Sequence, residues 1–274
     1  MTDRRLLAAN ARVAAADLAD PPPGRERVTG TPRRVRRPVE DLLDAPEGRR
    51  ERQLLLGDAV TVYEDRGGWS FLRSAKDGYC GYVPGAALGA PATPSHRVRA
   101  PATHVYAAPD IKSPDRMALS HGSRITAIAE TGDFVETEFG FVPAVHLAPA
   151  DQLDGDPVAV AALYLGTPYL WGGNSRFGID CSGLVQAALL ACGIACPGDS
   201  DLQQAVLGRP MPRGEAPRRG DLLFWPGHVA LVADAGRLLH ANAFHMAVSY
   251  EPLDAALARI VAQGGGPVSA HRRL

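Results

Sequence analysis

Cysteine is scarce in this chain, with four among 274 residues. Cys192 and Cys196 lie four apart, but no second pair or histidine partner completes a zinc ligand set, so no metal and no cofactor is expected. An even count does not imply disulfides in a chain expected to be cytosolic. Long apolar runs are also missing. No stretch reaches the roughly 20 apolar residues of a bilayer span, so no membrane association is expected. The opening "MTDRRLLAANARVAAADLADPPPG" has no sustained apolar core after its arginines. It does not read as a secretory signal, and the expected location is cytoplasmic. Charge of one sign is lacking too: the net charge is -1. A general nucleic-acid partner, which needs a basic surface to release counterions, is therefore not expected. The one basic cluster, Arg33 to Arg37, reads as a solvated approach segment.

Hydrophobic residues make up 46% of the chain and charged residues 22%, the balance of a globular protein. Its length suits two or three modest domains. Residues 1–38 are rich in Arg, Ala and Pro and read as an N-terminal arm. From 39 to 150, short β-branched and aromatic runs such as "AVTVYED", "WSFLRS" and "GYCGYVP" alternate with turn residues, which predicts strands. This region repeats. Ala45-Pro46, Gly57 and "GYVP" recur as Ala108-Pro109, Gly122 and "GFVP" after about 60 residues. Two small all-β barrels in tandem are expected, over 39–91 and 95–150. The Gly-aromatic-Val-Pro signature resembles bacterial SH3-like domains. Beyond 154 the pattern becomes helical, then strand-rich, which predicts an α+β domain over 154–274.

Within that domain, "GIDCSGLVQAALLACG" places Cys181 where an apolar-periodic helix begins. Leu184, Val185, Ala188 and Leu189 form the inward face, and Gly193 stops the helix. A cysteine at a helix N-terminus sits in the dipole field and beside free N–H groups, which favour a thiolate and can hold an oxyanion. The nucleophile needs a base. If "HVALV" and "RLLHA" form one hairpin turning at Ala233 to Gly236, His228 and His240 are equidistant from Asp234. They then stand directly opposite each other on one face. One imidazole can orient the other, as a Cys-His-polar triad requires.

"PYLWGGNSRFGIDCSGLVQ", "RRGDLLFW", "HVALV" and "LLHANA" together resemble the NlpC-type (NlpC/P60) family of bacterial cell-wall cysteine peptidases. The resemblance implies a papain-like fold over roughly 154 to 262, preceded by SH3-like domains. It implies hydrolysis of the bond between γ-D-glutamate and a diamino acid in peptidoglycan stem peptides (L-Ala-γ-D-Glu-diamino acid). Members with SH3-like domains and no export signal resemble cytosolic enzymes of murein recycling that act on free-amino peptides. Carried onto this sequence, Cys181 is the nucleophile, His228 the general base and His240 its orienting partner. A thiolate–imidazolium pair is expected between the first two. Tyr169, Asp180, Ser182 and Ser200 match substrate-contact positions, and Trp171 matches a wall position that either contacts substrate or packs. Tyr79 resembles an aromatic that closes one end of the cleft, or else packs within its barrel, and an acid near Asp44 or Glu47 adds charge there. Arg176 and His245 are either subsite residues or surface, while Cys80, Cys192 and Cys196 read as core. Two other readings stay open: an amidase or acyltransferase of the same fold, and a binder of wall fragments without activity.

Overall fold

A computed structural model of the protein describes residues 3–274. The chain forms two units, Met1–Gln152 and Leu153–Leu274. No helix among the described residues is long and apolar enough to cross a membrane.

The first unit is built of short strands, antiparallel except for the parallel pair Val13–Ala15 and Glu26–Val28. Seven form one sheet, in spatial order Arg50–Leu55, Val39–Leu43, Cys80–Pro84, Trp69–Ser74, Ala59–Arg66, Thr31–Val35 and Leu88–Gly89. The N-terminal arm expected to end at residue 38 thus gives a strand to this sheet. Thr31 pairs with Val62 and Arg34 with Ala59. Val35 is fully buried and Arg36 and Arg37 are exposed, while the largely buried Arg34 side chain pairs with Glu138. A basic run can form a sheet strand when one apolar side chain reaches the core, the arginine stems lie along the surface and their charged heads reach water or an acid. The second repeat makes a five-stranded and a three-stranded sheet. Hydrogen bonding closes neither repeat into a ring. The edge strand Leu88–Gly89 has only two residues, and Pro91 and Pro94 follow it, so the ladder stops there.

The repeat landmarks have structural meaning. Gly57 and Gly122 take nearly the same left-handed backbone, φ 86° and 85°. "GYVP" and "GFVP" end the strands Cys80–Pro84 and Gly140–Pro143, and each runs into a short 3-10 turn, Gly85–Ala87 and Ala144–His146.

The second unit is α+β. Its six-stranded sheet runs Arg209–Pro210, Ala270–Arg273, Leu222–Trp225, His228–Asp234, Arg237–Asn242 and Ala247–Pro252. The period-two alternation of a strand divides its side chains between two cores. Leu222, Phe224, Val229, Leu231 and Leu239 pack with Leu184, Val185, Ala188 and Leu189 of the helix Cys181–Ala191. Leu223, Trp225, Ala230, Val232 and Leu238 pack with Leu253, Ala256 and Ile260 of the helix Leu253–Ala262. Each large side chain fully buried in this way contributes about 2 kcal/mol.

A buried carboxylate ties the last strand to the sheet centre. Asp221 is 1% exposed. It accepts from Arg273 through Nε and Nη2, both at 2.8 Å, from His271 Nε2 at 2.6 Å and from the Arg218 N–H at 2.9 Å. Burial opposes its charge, but these donors outweigh it and hold the carboxyl down at about 2. A depressed acid stabilises the fold fully above its unfolded pKa near 3.8, and loses that contribution as pH falls toward 2. Asp221→Asn should therefore cost about 3 kcal/mol in urea unfolding at pH 7, since it removes the buried charge between Arg273 and His271 and leaves Arg273 the longer ion pair with Glu215 at 3.5 Å. The difference between wild type and variant should shrink steadily below pH 4.

Candidate active site

The helix Cys181–Ala191 starts where it does because Asp180 caps it. Asp180 Oδ1 accepts from the Gly183 N–H at 2.6 Å and from Ser182 Oγ at 3.0 Å. Its Oδ2 accepts from the Gly172 N–H at 2.9 Å, which fastens the Trp-Gly-Gly loop to the helix start. Gly183 is required by that approach: a Cβ there would strike the Gly173 carbonyl oxygen and press on Asp180 Oδ1. Cys181 is the first helical residue and is 6% exposed. Its sulfur thus sits among the N–H groups of the first turn, at the positive end of the helix. Gln203 bonds the Ser182 carbonyl at 2.9 Å and holds the helix Ser200–Val206 against the same turn.

The histidines come from the hairpin of His228–Asp234 and Arg237–Asn242. Its register differs from the expected one. Asp234 pairs with Arg237 around a tight turn, then a bulge at Ala233 shifts the ladder so that Val232 pairs with Leu238 and Leu231 with Leu239. Continued, that register sets His240 across from Ala230, so the imidazoles meet diagonally and not face to face. The bulge decides the geometry. Without it, the odd register of the turn would send the two histidines to opposite faces. With it they share one face, and His228 Nε2 lies 3.0 Å from His240 Nδ1. The thiol adjoins this pair through the chain. Cys181 Sγ is 4.0 Å from the carbonyl oxygen of Gly227, the residue before His228.

The network continues beyond the expected residues. His240 Nε2 is 3.0 Å from Glu251 Oε2. Arg259 grips Glu251 through Nε to Oε1 at 2.7 Å and Nη2 to Oε2 at 2.8 Å. Glu251 lies on the neighbouring strand, diagonal to His240 across the pairs His240–Ser249 and Leu238–Glu251. Nothing in the spacing of "AVSYEPL" marks it as a site residue.

Burial, followed by the charges of His240 and Arg259, pushes His228 down to about 3, against a smaller opposing effect of Glu251. Burial pushes His240 down to about 4, with Glu251 opposing. Both rings are therefore neutral at pH 7. The expected preformed imidazolium is disfavoured because its charge would be stranded in a desolvated site. The Tyr169 phenol is pushed up, first by burial and then by the charges of Cys181 and Asp180. It keeps its proton and can donate a hydrogen bond close to the thiol.

A profile of the NlpC/P60 family matches residues 166–260, and one described as the bacterial dipeptidyl-peptidase Sh3 domain matches residues 42–88. The γ-D-glutamyl-L-lysine dipeptidyl-peptidase of Bacillus subtilis (strain 168) is 34% identical over 215 residues, covering 69% of this chain and 71% of that protein. The chain belongs to the NlpC/P60 family. It is a cysteine peptidase of papain-like fold with an SH3-like domain ahead of the catalytic one. Dipeptidyl-peptidase 6 of Lysinibacillus sphaericus is 41% identical over 99 residues, 35% of each chain. The crystal structure of an NlpC/P60 family protein from Bacillus cereus ATCC 10987 superposes with a TM-score of 0.74 at 21% identity, covering 89% of this chain and 99% of that one. That likeness is one of fold.

Among the other residues matched to NlpC/P60 positions, Asp180, Ser182 and Tyr169 gather around Cys181. Trp171 is 70% exposed, in the loop fastened by Asp180. Ser200 opens the short helix Ser200–Val206 and is half-buried. Tyr79 is 2% exposed in the core of the seven-stranded sheet, with Val35, Leu42 and Leu54, the surroundings of a packing residue. Asp44 bonds the Arg49 N–H at 2.8 Å within its own turn. Arg176 donates to Thr167 Oγ1 at 2.6 Å and to the Leu165 carbonyl at 3.2 Å, which bind it to the segment after the helix Pro157–Ala162. His245 bonds Asn242 and Ser249 at the far hairpin turn. Burial pushes the Cys80 thiol up to about 12.

Gly183→Ala should break the close approach on which the helix cap depends. The expected cost is about 1–3 kcal/mol of stability, with slower alkylation of Cys181 at pH 7. Thermal unfolding and mass mapping of the labelled cysteine measure the two effects.

Proposed function

We propose that the protein hydrolyses the γ-D-glutamyl–diamino acid bond of short peptidoglycan stem peptides bearing a free N-terminal L-Ala. The observation that carries this is a thiol at a capped helix start, 4.0 Å from the carbonyl of Gly227, whose next residue opens a bonded pair of neutral imidazoles. The names of its relatives supply the substrate class: γ-D-glutamyl-L-lysine is cut by the matched Bacillus subtilis enzyme. The reading extends to the recycling of wall fragments in the cytoplasm.

Cys181 Sγ attacks the γ-carbonyl carbon of D-glutamate as His228 accepts the thiol proton. The carbonyl oxygen gains the negative charge and is held by N–H groups of the first helical turn, with the Tyr169 phenol as a further donor. His228, now cationic beside an anion, returns its proton to the leaving amine as the C–N bond breaks. Water then adds to the thioester, giving a proton to His228, and the C–S bond breaks to release L-Ala-D-Glu. The proton passes back to the sulfur. His240 holds the His228 ring throughout. Asp180 supplies negative charge near the nucleophile, which favours a free α-amine on the substrate.

L-Ala-γ-D-Glu-diaminopimelate and its N-acetylated twin, incubated with wild type and Cys181→Ala, test this by product mass. Cleavage between glutamate and the diamino acid, by wild type only and of the free-amino peptide only, is expected. Cleavage of both peptides would remove the amine preference. Cleavage of neither would favour another acyl substrate or a binding role. The acid limb of kcat/KM should lie below pH 6.5, because the shifts of His228 and His240 are both downward. An acid limb at or above 6.5 would contradict the buried neutral pair.

A further inference from the structure

The reading of Cys181, His228 and His240 leaves one buried group unused. Glu251 is 6% exposed and holds no place in the resemblance or the relatives' names. A carboxylate buried on the far side of a catalytic histidine is an expensive feature unless its charge is matched. Here it is matched by Arg259, which reaches it from the helix Leu253–Ala262 with two bonds. Arg259 is itself held by Gln263 Oε1 at 2.8 Å and lies 4.6 Å from the centre of the Phe244 ring. The row is thus braced at its outer end.

We propose that Glu251, fixed by Arg259, is a positioning residue that sets the tautomer of both histidines, so that His228 offers an unprotonated Nδ1 to the Cys181 thiol. The assignment rests on the function proposed above and follows from the donor inventory. Arg259 is donor-only, so both oxygens of Glu251 act as acceptors. Oε2 also faces His240 Nε2 at 3.0 Å, which places the proton on that nitrogen. A neutral ring protonated at Nε2 has its lone pair at Nδ1. His240 Nδ1 therefore accepts at 3.0 Å, and His228 Nε2 donates. The remaining nitrogen of His228, Nδ1, then carries a lone pair, which is what a base needs to take a proton from sulfur. Reversal of any one bond reverses the row and puts a proton on His228 Nδ1.

The charges facing the rings are few. His240 meets His228 on one side and Glu251 on the other, with Arg259 and His245 nearby. His228 feels His240, Arg259 and Glu251. Glu251 raises the affinity of both rings for a proton and Arg259 lowers it. Removing one or the other should therefore move the pH profile in opposite directions, which loss of packing alone would not do.

Glu251→Gln, which adds a donor where only acceptors stood, and Arg259→Met, which keeps the carboxylate, form the test. The readouts are the rate of Cys181 alkylation by iodoacetamide across pH and the nitrogen-15 spectrum of the histidine rings. In wild type both histidines should show the Nε2–H tautomer. Glu251→Gln should mix the tautomers, slow alkylation at pH 7 at least tenfold and move the acid limb to lower pH. Arg259→Met should keep the tautomers and move the limb to higher pH. An Nδ1–H form of His240 in wild type would overturn the proposal, and this needs no variant to fold. Alkylation within twofold of wild type in folded Glu251→Gln, with unchanged tautomers, would overturn it as well. Neither readout uses a peptide. Failure of the peptide assay with these results intact would count against the proposed reaction alone.

Discussion

The bond between His228 and His240 depends on a single extra residue. A tight turn closed by Asp234 and Arg237 imposes an odd register, and odd register separates the two rings. The bulge at Ala233 converts it to an even one. Everything further along the row follows from that parity. Glu251 reaches His240 because the next strand keeps an unbroken even offset, and Arg259 reaches Glu251 because its helix covers that same face. The site is thus a diagonal line of polar side chains across three adjacent strands, next to the apolar core formed by Ala230, Val232 and Leu238.

The thiol side is governed by close backbone approach. Asp180 joins the helix start to the Trp-Gly-Gly loop, and glycine at 183 lets the helix backbone touch the Gly173 carbonyl. The bonds from Gly172, Ser182 and Gly183 occupy both oxygens of the Asp180 carboxylate. Burial then acts in one direction on the whole site. It keeps His228 and His240 neutral and the Tyr169 phenol protonated. At pH 7 these groups are therefore neutral donors and acceptors.

Much of this arrangement could be read in the residues. An aspartate before Cys181, glycine at 183 and an apolar 3.6-residue period are local signals, and local signals fix a helix start. The shared face of His228 and His240 was also legible, although through direct opposition in place of the diagonal contact found. The difference of two residues keeps the face and changes the geometry, and no local rule announces a bulge at Ala233. Glu251 was illegible for a related reason. A single acid in a strand resembles a solvated residue until the neighbouring strand and helix are known. Thr31–Val35 hid behind its arginines, where only Val35 carries the core signal. The repeat, by contrast, was visible through Gly57 and Gly122, whose left-handed backbone constrains residue type directly.

The most direct test is to ask which of the four cysteines reacts. Substoichiometric iodoacetamide at pH 7, followed by peptide mapping, should label Cys181 almost exclusively, and His228→Ala should remove that preference. Label spread over Cys192 and the others at the rate of an ordinary thiol, or unchanged labelling in His228→Ala, would contradict a helix-start thiol served by a neutral imidazole.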